Sequence, residues 1–475
     1  MMTGQQTPER TPGLRGLAVG LTAGLALTMA ASGALAWSYK EAAAPYKGTT
    51  VRVLDETTPL QETFAPLVQQ FNDETGITVE YELLNHFEVI NKGQSDMLSG
   101  RGHYDAVMNH PFQLGLLLDA GVLRPIDDMM ANAKLTNPDF DIGDLIEPSF
   151  SSLSKFGGKT YGYLNWNYNS VYWARGDLLG DAGEQAAFKA KYGYDLKPAE
   201  TLQQMRDIAE FFTRKAGEKL AGKTLESDFY GVVLEGSKGG TTYQHVWFSF
   251  VKNYGGRFFD DEGRPMAESA ETIAGLKAWA DLWDFAPPGM AEYSLIDVPT
   301  VMGNGIAAQT IAWSDFVLGI DKPGASDLAG KFVYAPIPRN ADSSGDYYAA
   351  ATPSGMNISV HSKNPEATYL FIQWMAEKST QKALLAAGKG GVPIRNSSWS
   401  DPVLTNSNLA NLFEAMRGSM KGGIAEPKFP RLLEMGDAMN GIIQQVGLKS
   451  MTPAEGAKAL QAALTAICEK CLLQP

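Results

Sequence analysis

The sequence predicts an α/β protein with mainly parallel sheets. Two observations carry that reading. Short apolar runs alternate with single segments of helical periodicity from Thr50 to Gly121, and a strand–helix–strand order with one helix per crossover builds parallel sheets. The 475 residues are 44% apolar and 20% charged, enough for a large core, and a chain of this length divides into more than one domain.

The elements follow in order. Thr50–Leu54 reads as a first strand, ended by Glu56, Thr57 and Pro59, which open a helix over Leu60–Thr75 with Phe64, Leu67, Val68 and Phe71 inward. Gly76 stops it. Ile77–Tyr81 is a second strand, a helix spans about Phe87–Ser99, and Asp105–Met108 is a third strand. Pro111 then suits the first turn of a short buried helix that Gly121 ends. Glu56 and Thr57 thus fall at one strand's carboxyl end, and Asn109 and His110 at another. In open α/β sheets ligands bind in the crevice outside such ends. Asn109 also fits the simpler role of capping the helix.

Gly157–Asn169 brings three Tyr and one Trp together with Asn165, Asn167 and Asn169. Aromatic faces beside amides suit a sugar ring, which has apolar C–H patches and a belt of hydroxyls. Tyr161 and Tyr163 read as core, and Trp166, Asn167 and Tyr168 as site candidates. A helix is predicted over Leu202–Lys219. Gly217–Thr224 matches the phosphate-loop pattern G-x-x-x-x-G-K-[ST] literally, yet it follows a helix and precedes a polar turn, so it is read as coincidence. Gly231–Leu234 reads as a strand and Tyr243–Lys252 as a helix carrying Trp247. The helix Ser269–Phe285 buries Trp279 and Trp283, and a strand from Gly305 exits at Trp313, a candidate stacking surface. Lys331–Pro338 and Gly388–Arg395 read as extended crossings between domains. Pro353–Val360 is a strand, and Pro365–Lys378, Leu432–Val446 and Pro453–Cys468 are helices.

Charge and composition narrow the function. A net charge of −13 argues against nucleic acid or an anionic membrane as partner. Arg10 and Arg15 precede an apolar run ending at Ala36, the pattern of a secretory signal peptide over residues 1–36. No Cys follows the run, so a soluble periplasmic protein without a lipid anchor is expected. Cys468 and Cys471 are the only cysteines; a small local disulfide or two idle thiols are the two states considered, neither catalytic. No cofactor or metal is expected.

Several blocks in order carry a resemblance: Tyr104–Val107 to Pro125–Asp128, Gly158–Gly162 with Asn169–Asp177, Tyr254–Gly256, Gly305–Ala308 to Trp313–Ser314, Ile358–Ala367, and Val392–Arg395. Through them the chain resembles the extracellular solute-binding proteins of bacterial ABC importers, in the carbohydrate-binding family related to maltose-binding protein. The resemblance implies a two-lobed periplasmic-binding-protein fold of type II, two discontinuous α/β domains joined by a hinge. Transferred here, lobe 1 is 48–158 plus 331–392 and lobe 2 is 159–330 plus 393–475.

The family's ligand-contacting regions map onto Glu56, Thr57, Asn109, His110, the loop at Trp166, Asn167 and Tyr168, the Trp247 helix, Trp313, and a turn at Gly355 and Met356. Arg395 is the one nearby cation for an anionic ligand. Met435 and Gly436 stand where many members carry a stacking aromatic, and Gly355 lacks a Trp common in relatives. A smaller sugar or polyol is therefore expected, delivered to permease transmembrane subunits by a monomer without turnover. The alternatives are a secreted glycosidase, for which Glu56 is a single carboxylate where two are needed, and a binding protein for a polyamine or chelated metal.

Overall fold

The computed structural model describes residues 37–239, 246–321, 324–341, 353–387, 392–406, 409–421 and 428–474. The expected leader, the start of the predicted helix at Tyr243, and Gly388 of the second expected crossing lie outside them.

Strand β1 (Thr50–Glu56) is followed by α1 (Pro59–Thr75), β2 (Thr78–Leu84), α2 (His86–Ser99), β3 (Ala106–Asn109) and α3 (Pro111–Asp119). The helix starts follow their caps. Thr58 Oγ1 accepts from the Gln61 N–H at 3.3 Å, and Asn85 Oδ1 from the Glu88 N–H at 3.0 Å. Gly76 and Gly100 close α1 and α2 at φ 73° and 70°, where a side chain would be strained. Two strands follow, β4 (Gly162–Trp166) and β5 (Ser170–Arg175). After helices α4 (Leu202–Phe212), α5 (Val246–Asn253) and α6 (Ala270–Asp281) come β6 (Gln309–Trp313), β7 (Phe332–Ala335), β8 (Ser354–Ile358), α7 (Pro365–Met375), α8 (Leu432–Gly447) and α9 (Pro453–Ile467).

Two sheets organise the chain. The larger has the order β2-β1-β3-β8-β4, with β1 parallel to β2 and β3, and β8 antiparallel to β3 and β4. The smaller, β6-β5-β7, is antiparallel throughout, so the parallel pairing belongs to the first three strands. Val51, Val53, Val107, Met356 and Phe371 build the core around the larger sheet. β5 alternates: Tyr172 and Ala174 enter a second core with Trp247, Trp279 and Leu460, whereas Val171 and Trp173 enter a third with Phe332 and Met416. Side chains that point to opposite faces in turn let one strand serve both.

Two expectations change and two alternatives are resolved. The helix from Leu202 ends at Phe212, and Lys219–Leu220 and Lys223–Thr224 pair as a small hairpin, so the phosphate-loop match is a surface turn. Gly231–Leu234 is extended but joins neither sheet; the Val233 N–H donates to the Gln309 carbonyl. Lys331–Pro338, expected to be extended, contributes β7, which pairs with β5. Cys468 and Cys471 form a disulfide just beyond α9.

Candidate functional site

Because β2, β1 and β3 lie side by side and parallel, their carboxyl ends form one edge. Glu56 ends β1, His86 starts the helix after β2, and His110 starts the helix after β3. The three side chains converge. Glu56 lies 3.1 and 3.2 Å from His86 Nδ1 through its two oxygens, and its Oε2 lies 3.2 Å from His110 Nε2. His110 Nδ1 is 2.8 Å from the Tyr168 hydroxyl. Burial raises the Glu56 carboxyl, yet hydrogen bonds from His110 and His86 outweigh it and bring it down to about 2. Three helix N-termini on the same edge favour that negative charge further. Burial lowers His110, against the pull of Glu56. A neutral ring fits both contacts, with Nε2–H donating to Glu56 and Nδ1 accepting from Tyr168.

Aromatic rings flank this cluster. Trp166 ends β4 with its ring 4.8 Å from Tyr168, and Trp313 ends β6 with its ring 5.2 Å from Tyr168, edge to face. Trp313 belongs to the core around the larger sheet although its strand lies in the smaller one. Just beyond it, half-buried Asp315 is pushed up to about 7, by burial and by the charge of Glu56. Its Oδ1 is enclosed and takes no hydrogen bond among the described residues; the same holds for His86 Nε2. Glu56, His86 and His110 offer three ligand atoms all within 4.8 Å of one another, a set that could hold a metal ion.

The predicted residues therefore divide. Glu56, His110, Trp166, Tyr168 and Trp313 come together, and Thr57 lies exposed beside them with its N–H on the Leu84 carbonyl. The others are occupied elsewhere. Asn109 is fully buried; its amide donates to the Val107 carbonyl and to Asn357 Oδ1, both at 3.1 Å. It is not the cap either, because His110 holds that place and its N–H donates to Gln113 Oε1 at 2.9 Å. Asn167 accepts from Ser149 Oγ at 3.0 Å and donates to the Pro393 carbonyl at 3.2 Å. Trp247 is core, against Phe258 and Asn440.

Gly355 and Met356 are not a turn but the middle of β8, paired on both sides. A Cβ at Gly355 would stand 1.8 Å from Leu153 Cδ2, so only glycine fits. Arg395 is fully buried, donates to the carbonyls of Ala376 and Asp141 at 2.6 and 3.1 Å, and faces Asp144 at 3.4 Å. That guanidinium holds backbone together through Nε and Nη1. Sequence reasoning missed His86. The signal was present: it follows β2 as His110 follows β3, on the edge where Glu56 ends β1.

Residues 55–382 match the family described as bacterial extracellular solute-binding protein. The chain belongs to that family. An erythritol/L-threitol-binding protein of Mycolicibacterium smegmatis is 22% identical over 366 residues, 74% of this chain and 71% of that one. A probable amino-acid ABC transporter periplasmic-binding protein of Sinorhizobium fredii is 24% identical over 453 residues, 93% and 95% of the two chains. The crystal structure of an ABC transporter solute-binding protein from Agrobacterium radiobacter in complex with ribitol has a TM-score of 0.73 at 21% identity, covering 89% of this chain and 99% of that one. The fold is thus the two-lobed type II periplasmic-binding fold. No helix among the described residues is long and apolar enough to cross a membrane.

Proposed function

We propose that this protein captures a small sugar or polyol for an ABC importer, holds it in a cleft between two lobes, and presents it to permease transmembrane subunits. It acts as an exported periplasmic monomer without a lipid anchor and without turnover. The lobes are 48–158 plus 331–392 and 159–330 plus 393–475, and closure about the crossing segments buries the ligand.

The observation that carries this reading is the meeting of Trp166, Tyr168 and Trp313 with the polar edge of Glu56, His86, His110 and Asp315. Rings contribute surface for C–H patches, and carboxylates and imidazoles accept or donate to hydroxyls. A micromolar site, about −8 kcal/mol, needs only a few such contacts. The likeness to a protein named for erythritol and L-threitol, and to one whose crystal structure is in complex with ribitol, favours a polyol. The test is a thermal-shift screen of polyols, monosaccharides, amines and amino acids, followed by calorimetry on the hits. A polyol or sugar that binds one to one supports the proposal. Release of product from oligosaccharides by the pure protein overturns it.

A second reading has one observation behind it, the similarity to a protein named as a probable amino-acid carrier. Glu56 and Asp315 would then receive an ammonium group. The same screen separates the two, since only this reading predicts stabilisation by amino acids and none by polyols.

A further inference from the structure

We propose that Glu56, His86 and His110 form a binding site for a borderline divalent transition-metal ion such as Zn²⁺, independent of any organic ligand. The donor set is the first argument. Two imidazoles and one carboxylate suit zinc and its neighbours, whereas Mg²⁺ and Ca²⁺ require oxygen ligands throughout. Three protein ligands also leave a fourth position open to water or an exchangeable ligand.

Geometry is the second argument. In a tetrahedral site with bonds of about 2.0–2.1 Å, neighbouring ligand atoms stand roughly 3.3 Å apart. The Glu56 oxygens already stand 3.1–3.2 Å from the two ring nitrogens. The ring nitrogens lie within 4.8 Å of each other, so closing that one separation completes the seat. An ion replaces the protons now shared between Glu56 and the rings, which is the ordinary exchange when metal binds such ligands.

The surroundings are the third. Metal-bound histidines are held by a hydrogen bond at the other ring nitrogen, and the Tyr168 hydroxyl stands 2.8 Å from His110 Nδ1 to accept it. Asp315 is the nearby carboxylate whose enclosed Oδ1 lacks a partner among the described residues. A cation at the triad compensates the charge of Asp315, which interacts with both Glu56 and His86.

The test uses untagged full-length mature protein, stripped with EDTA and free of sugars and polyols. It is titrated with Zn²⁺ in competition with a chromophoric chelator. One equivalent is expected. Affinity falls about 100-fold in His86→Ala and His110→Ala, and about 10- to 100-fold in Tyr168→Phe; millimolar Mg²⁺ or Ca²⁺ does not compete. Co²⁺ in the same protein gives the intense visible bands of a low-coordinate site with nitrogen ligands, a readout that needs no variant. Absence of stoichiometric Zn²⁺, a weak octahedral Co²⁺ spectrum, or equal affinity in wild type and the folded His86→Ala protein overturns the proposal. Since no polyol enters the assay, failure of the polyol screen leaves this result standing, and the reverse holds.

Discussion

At the scale of single residues, the difference between a polar side chain that meets ligand and one that holds the fold lies in where its hydrogen bonds already go. Asn109, Asn167 and Arg395 are all buried with named partners. Arg395→Ala strands the carbonyls of Ala376 and Asp141 and takes one partner from Asp144, which keeps its two hydrogen bonds from Ser397, so it destabilises by about 3 kcal/mol in chemical unfolding while the Kd of the bound polyol stays within about twofold. Trp313→Ala acts the other way: it removes the ring beside Tyr168 and weakens the best polyol by about tenfold, or about 1.4 kcal/mol, in calorimetry. Were Arg395→Ala to abolish binding in a folded protein, its assignment as a structural residue would fall. Glu56, His110, Tyr168 and Trp313 were legible because each sits at a strand end or the loop beside it. His86 was passed over although it holds the same place after β2, because one histidine at a helix start carries no periodic signal and only its position relative to the strand marks it.

At the scale of elements, β8 shows how closely the larger sheet is packed. Gly355 faces Leu153 Cδ2 and the Tyr163 carbonyl, so Gly355→Val overpacks β8 against its neighbours and lowers stability by about 3 kcal/mol in urea unfolding. A value within 0.5 kcal/mol of wild type would show that the strand has room. β7 is tied to the segment before it by Asp321, which accepts from the Tyr334 hydroxyl at 2.6 Å and from the Gly330 N–H. Burial raises the Asp321 carboxyl above its ordinary value, against those two donors. Its folded state binds the proton more tightly than the unfolded chain does. This group's contribution is therefore most favourable below the unfolded value near 4 and is lost as pH rises through the folded one. Asp321→Asn removes that loss, so the fall in melting temperature from pH 4 to pH 7 is shallower in the variant. An unchanged slope refutes the assignment. The helix predicted past Phe212 failed because Leu202, Met205, Ile208 and Phe212 set its periodicity and Thr213 turns the chain into an extended path that pairs Arg214 with Phe229.

At the scale of the molecule, binding stabilises only the folded state. A ligand at 100 times its Kd raises unfolding free energy by about 2.7 kcal/mol. In the proposed closure the radius of gyration falls on adding the polyol that binds, measured by small-angle scattering. A thermal shift with no change in radius would mean that binding does not move the lobes. Packing already crosses between the sheets: Trp313 from the smaller sits in the core of the larger.

The sequence by itself determined the strand–helix alternation, its turns and caps, and hence the sheet edge at which Glu56 and His110 emerge. Those features follow from apolar spacing and backbone chemistry within a few residues. Tertiary structure alone decided which side chains share that edge. Convergence of Glu56, His86 and His110 depends on β2, β1 and β3 being neighbours, and burial of Arg395 depends on segments more than two hundred residues apart meeting. Local pattern tells which way a chain runs and which residues are apolar; only three-dimensional neighbours satisfy, or leave open, a polar atom.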